Sequence, residues 1–407
     1  MTVLRNIGQL ATCPAGTAQH DAGLIDDAAL VFDRTSVVWV GCASQLPQAY
    51  AAHESIDCNR RLVIPGLIDC HTHLCFGGWR ADEFEMRLQG RSYQEIAAAG
   101  GGIRSTVAAT RASQPEQLLA KSLQSLKGML DLGVTTVECK SGYGLEEATE
   151  IKQLEVYREL NGLQPVELIP TFLGAHMVPE EYRHKRKDYV RLLCDQLIPE
   201  VSSRALARFC DVFVEEGAFT PGEARKVLDA ARRAGLGLKV HADQLSTGGG
   251  AQLAAEFAAV SAEHLEYADT EGIRALAKAG TVAVSLPLAS LYLNERYLPA
   301  RKMLAAGVRV AVATDFNPGS APSFHLPLAM TLACLNQKMT PQEVLKGTTS
   351  VAARAVSAEH RIGSLLPGYE ADIAIIDAPN VNHWLYHFRA NACCGVIKSG
   401  QWINRLP

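Results

Sequence analysis

The residues of this chain best suited to chemistry are four histidines and an aspartate: His71, His73, His241, His264 and Asp315. His71 and His73 flank a single residue. Side chains alternate along an extended segment, so both imidazoles leave the same face. Two imidazoles on one face can share a metal ion. A third imidazole and a carboxylate arriving from elsewhere would still leave one position open for water. Water held by such an ion is a nucleophile near neutral pH, so the set points to metal-assisted hydrolysis. A His-x-His pair alone is weak, because histidines also pack in cores. The elements that carry these residues therefore decide the reading.

Val63-Ile-Pro-Gly-Leu-Ile-Asp runs as an apolar strand straight into His71. Seven further apolar runs follow the first, over 62–70: 134–140, 166–172, 209–215, 236–241, 259–264, 281–286 and 308–314. Amphipathic stretches separate most of them. The stretch from Thr220 to Gly235 has proline near its start and glycine at its end, the boundary signals of a helix. Near-continuous apolar strands alternating with helices predict an α/β fold with a closed parallel (β/α)8 barrel. On that map His71 and His73 follow the first strand, His241 ends the fifth, His264 ends the sixth and Asp315 follows the eighth. All lie at strand C-termini, the face where such barrels keep their chemistry. Residues 1–60 and 360–407 carry short apolar runs broken by Gly, Asp and Ser. They predict a small β-sandwich domain built from both chain ends, with the barrel spanning 61–359.

Bulk properties narrow the class. The 407 residues carry a formal charge of −4, with 48% hydrophobic and 20% charged residues. No basic stripe exists for neutralising phosphates, so nucleic acid is not an expected partner. The basic run from Arg183 to Arg191 reads as a solvated helix face. No window reaches the ~18 apolar residues of a membrane span, and no leader pattern opens the chain, so a cytoplasmic location is expected. The eleven cysteines read as reduced packing residues. Gly100–Gly102 and Gly248–Gly250 lack the companions of a phosphate loop and read as flexible active-site loops.

The run ending in Asp69-Cys-His-Thr-His, with the later histidines and Asp315, resembles the amidohydrolase superfamily. Narrower segments carry the likeness further: Glu138-Cys-Lys-Ser-Gly-Tyr-Gly, Thr171-Phe-Leu-Gly-Ala-His, Lys239-Val-His-Ala-Asp-Gln and Thr314-Asp-Phe-Asn-Pro-Gly-Ser. Together they are similar to the branch that opens a carboxylate-tailed imidazolone ring, over nearly the whole chain. The resemblance implies hydrolysis of 4-imidazolone-5-propanoate to N-formimidoyl-L-glutamate. It implies one divalent metal ion, zinc or iron, held by His71, His73, His241 and Asp315. It further implies that Arg80, Tyr143, His176 and Gln244 contact the substrate, that Asn317, Gly319 and Ser320 lie along it, and that Tyr93 meets its carboxylate. Dinuclear relatives bridge two ions with a modified lysine on the fourth strand. Here Val214-Glu215-Glu216 stands there, which implies a single ion.

The residue types suit these roles. An anionic tail needs a cation, and a guanidinium such as that of Arg80 binds a carboxylate with two prongs. Some relatives carry glutamate in place of Gln244. A neutral amide cannot abstract a proton at neutral pH, so acid–base work falls to Asp315 and His264. Two other readings share the metal set: a deaminase of an aromatic heterocycle, and a barrel without catalysis. A homodimer is the expected assembly.

Overall fold

Strands that are apolar on both faces need cover on both, and a closed barrel inside a ring of helices provides it. The computed structural model describes residues 1–91, 95 and 100–404. Eight strands, Leu67–Thr72, Val134–Lys140, Glu167–Ala175, Phe209–Val214, Gly237–Ala242, Ser261–His264, Val282–Ser285 and Val310–Val312, follow one another in chain order. Each pairs in parallel with the next. The helix at Pro221–Arg233 forms where the sequence predicts it. Thr220 accepts the Glu223 backbone N–H, Glu223 reaches back to Thr220, and Ala224, Val227, Leu228 and Ala231 face the core.

The first and last strands meet. The Asp315 N–H donates to the His71 carbonyl at 3.1 Å, and the His73 N–H donates to the Phe316 carbonyl at 2.9 Å. Thr314 reinforces the seam by donating to Asp69 from its backbone at 3.1 Å and from its hydroxyl at 2.6 Å.

The small β-domain built from both chain ends is one continuous eight-stranded sheet that encloses a core of its own. Along the sheet lie Gln401–Asn404, Cys393–Lys398, Ile373–Ile376, Leu62–Pro65, Thr2–Ala11, Leu24–Phe32 and Val37–Cys42, and Glu54–Asp57 pairs with Thr2–Ala11. Strand alternation gives it two jobs. Val63, Ile373 and Ile375 point into the sheet's own core with Leu4, Ile7 and Leu30. Leu62, Ile64, Ala374 and Ile376 join the barrel core.

The strand expected over 62–70 is therefore two strands. Leu62–Pro65 pairs with Ile373–Ile376 in the terminal sheet, and Leu67–Thr72 enters the barrel. Gly66 is the joint. A Cβ there would lie 2.3 Å from Thr135 Oγ1 and 2.6 Å from its Cγ2, so no side chain fits. Among the described residues no helix is long and apolar enough to cross a membrane.

Replacing Gly66 with alanine is expected to lower unfolding free energy by about 1–3 kcal/mol through overpacking against Thr135. A urea midpoint equal to that of the parent chain would show that the joint relaxes at no cost.

Candidate active site

Barrel closure brings the five chemistry-bearing side chains together. His71 Nε2 and His73 Nε2 each lie 3.5 Å from Asp315 Oδ1. Ligand atoms of His71, His73 and Asp315 fall within 4.8 Å of one another, and so do those of His71, His241 and His264. Donors held about 2.0–2.2 Å from an ion with four protein ligands and one water sit roughly 3.0–3.6 Å apart, so the spacing fits. Buried polar atoms normally find partners, yet Nε2 of both His71 and His241 has no protein partner. Buried, unpartnered nitrogens grouped this closely are what a divalent ion would satisfy. The donor set of imidazoles and one carboxylate suits such an ion.

Electrostatics keeps the donors in the right state. Burial, then Lys140 and the other imidazoles, pushes His71 well below the usual imidazole range. Burial, then His176 and His241, does the same to His73. Both rings stay neutral with a lone pair free. Burial raises the pKa of Asp315 against the pull of His264 and His241. Burial opposes charge on His264, but Glu266, 3.6 Å from its Nδ1, outweighs it with help from Asp315 and raises its pKa. Asp315 and His264 both sit at positive φ, 56° and 73°, where the strands end and the chain turns.

A cavity of about 220 Å³ opens beside this cluster. Its wall contains Arg80, Tyr143, His176, Gln244, Asn317, Gly319 and Ser320 together with His73, His241, His264 and Asp315. Tyr93 lies outside the described residues. His176 Nδ1 is 3.0 Å from the Gly142 carbonyl, so this nitrogen carries the proton and Nε2 is left as an acceptor. Burial holds the His176 pKa down at about 3. Burial, with Asp315 nearby, raises the Tyr143 pKa, so its phenol keeps a proton to donate. Asn317 Oδ1 accepts the backbone N–H of Gly319 and Ser320, both at 2.8 Å, and its amide donates to Ser320 Oγ at 2.8 Å. Ser320 Oγ in turn donates to Asp315 Oδ2 at 3.3 Å.

Several supporting residues escaped the sequence reading. Glu83 accepts from Arg80 Nε at 3.0 Å, from the Gly102 N–H at 2.9 Å and from Ser105 Oγ at 2.9 Å. It fixes the guanidinium from behind and leaves its outer nitrogens toward the cavity. Its place three residues after Arg80 on the helix Ala81–Leu88 was the available signal. Arg87 also lines the cavity and donates to Tyr292 Oη at 3.2 Å. The Gly248–Gly250 segment is clamped, contrary to the flexible loop expected. Asp243 accepts the N–H groups of Gly248, Gly250 and Ala251 at 2.9–3.1 Å. Glu215 accepts the Leu245 N–H at 2.9 Å and the Ser246 hydroxyl, which fixes the segment carrying Gln244. No spacing rule links Glu215 to amides some thirty residues on.

The model of the amidohydrolase family matches residues 62–403. An imidazolonepropionase from Geobacillus kaustophilus is 45% identical over 98% of this chain and 97% of its own length. One from Fusobacterium nucleatum is 44% identical over 98% of both chains. Among solved structures, a zinc-bound adenosine deaminase from Xanthomonas campestris superposes with TM-score 0.72 at 17% identity, covering 99% of this chain and 92% of that one. A triazine hydrolase variant gives 0.76 at 17% identity, covering 99% and 94%. At such identities the structural likeness shows the barrel fold alone.

Glu215→Ala is expected to raise hydrogen exchange at the Leu245 and Ser246 amides at least about tenfold, since each loses a charge-assisted bond worth roughly 1.5–3 kcal/mol. Unchanged protection at both amides would show that the loop holds itself.

Proposed function

The chain belongs to the amidohydrolase family, among its imidazolonepropionases, and from that premise we propose that it hydrolyses 4-imidazolone-5-propanoate to N-formimidoyl-L-glutamate. The observation that carries this reading is one cavity walled by both a buried ion-binding cluster and a guanidinium. One part suits an amide-like carbonyl, the other an anionic tail. We assign one ion, held by His71, His73, His241 and Asp315. Zinc and iron(II) both suit imidazole and carboxylate donors. Lys140, the buried lysine near the ligands, is committed to Glu138 and Asp211 and does not bridge a second ion.

When bound, the ion acidifies a water and polarises the ring carbonyl. The protein's own groups do the rest. Asp315, beside the water that the ion would hold, accepts the proton from it and returns that proton to the departing ring nitrogen. Water oxygen bonds to the ring carbonyl carbon, the C–N bond of the ring amide breaks, and the departing nitrogen takes a proton. His264, biased toward its charged form by Glu266, donates to the oxygen on which charge develops. His176 Nε2 accepts from a ring N–H. Gln244 orients the ring through its amide and moves no proton. Arg80 and the Tyr143 hydroxyl bind the tail carboxylate. Asn317, Gly319 and Ser320 line the path between tail and ring, and Tyr93 is assigned to the carboxylate end.

Freshly generated imidazolonepropionate is expected to be consumed, with formimidoylglutamate as product. Ammonia release from cytosine or guanine instead would favour the deaminase reading. Arg80→Ala is expected to lower kcat/KM about 10- to 100-fold, mostly through KM, because the tail is held alike in ground and transition states. An unchanged KM would remove Arg80 from tail binding.

A further inference from the structure

Behind the ligand cluster the barrel interior holds two ammonium groups, Lys140 and Lys239, and three carboxylates, Glu138, Asp211 and Glu263, all fully buried. None of them lines the cavity. Lys239 serves the far side: its Nζ lies 2.7 Å from Ser261 Oγ, 2.9 Å from the Ala355 carbonyl and 3.3 Å from Glu263 Oε1. Lys140 Nζ lies 2.8 Å from both Glu138 Oε1 and Asp211 Oδ2. Asp211 continues the chain toward the site. Its Oδ1 accepts the His241 backbone N–H at 3.1 Å, and its Oδ2 lies 2.9 Å from His241 Nδ1.

A buried ion pair is weak ground for stability, because well-packed apolar residues of similar volume often do as well. This pair has a second outlet. One carboxylate grips a single histidine by ring and backbone together, which leaves Nε2 as the nitrogen free for an ion. A carboxylate behind a metal-bound imidazole fixes the ring's tautomer and orientation. The buried carboxylate itself needs an anchor, and Lys140 is that anchor. Asp211, His241 and Glu263 also come within 4.8 Å of one another, a grouping that could suit a second cation. The Lys140 ammonium already supplies the positive charge Asp211 needs.

We propose that Lys140 and Asp211 are positioning residues for His241, with Lys140 clamping the Asp211 carboxylate and Asp211 presenting His241 Nε2 to the ion. The proposal rests on the reading that the cluster holds an ion.

Zinc release to a chromogenic chelator tests it without any substrate. The full-length proteins are loaded with Zn2+, and unfolding midpoints of the metal-free forms report structural damage separately. Lys140→Met and Asp211→Asn are expected to release zinc about 10- to 100-fold faster than the parent chain, the usual cost of losing such support. Glu138→Gln leaves the clamp intact and should release zinc at the parent rate. Lys140→Met leaves two carboxylates uncompensated and can fail to fold. The double variant Glu138→Gln/Lys140→Met removes one charge of each sign and should fold while still releasing zinc fast. Parent-like release from the folded double variant would overturn the proposal, as would loss of fold in both Lys140 variants, which would make the pair purely structural. A parent chain that takes up no zinc would instead sink the metal reading itself.

Discussion

The hydrogen bond from the Asp315 backbone to the His71 carbonyl closes the barrel and, in the same step, gathers the candidate site. In an open sheet of the same strands, His71 and His73 would lie on one edge and Asp315 on the other. Closure turns the two ends of a sequence of strands into neighbours and sets a carboxylate oxygen 3.5 Å from two imidazole nitrogens. Thr314 and Asp69, one strand each side of the seam, hold it shut from within. Ligand geometry and fold closure are therefore one property, which is why backbone at positive φ is tolerated at Asp315.

Around that seam the cavity divides its electrostatics. At the histidine end, burial keeps the His71 and His73 imidazoles neutral. Glu266 biases His264 the other way, so an acid and a base face the same space. At the other end Arg80 supplies positive charge, shaped by Glu83 behind it. Imidazoles of one cluster are shifted in opposite directions because their surroundings differ: burial dominates at His71 and His73, and Glu266 outweighs it at His264.

Much of this was legible from residue types and periodicity. Apolar strands ending in His, His or Asp specify both the barrel and its working face, because period and position reinforce each other. The same chain order that gives His71, His241, His264 and Asp315 to different strands also gives them a common rim. What escaped was contact between residues with no sequence relation. Glu215 reaching Leu245 and Ser246, and Asp211 reaching His241, depend on strand neighbours and loop curvature. Gly66 was hidden for a different reason. Apolar character continues on both sides of it, so hydrophobicity reads one strand where the backbone changes sheets.

The sheet shared by both chain ends carries a consequence for biosynthesis. Leu62–Pro65 leaves the ribosome early, yet its hydrogen-bonding partner Ile373–Ile376 lies roughly 300 positions downstream. At about 5–20 residues per second, that strand edge waits on the order of 15–60 s for its mate. Throughout the interval an apolar edge stands with its backbone unpaired, a template for adhesion to other nascent chains. The wait between the two strands, set by chain order alone, thus makes this edge the part of the sheet that depends on translation speed.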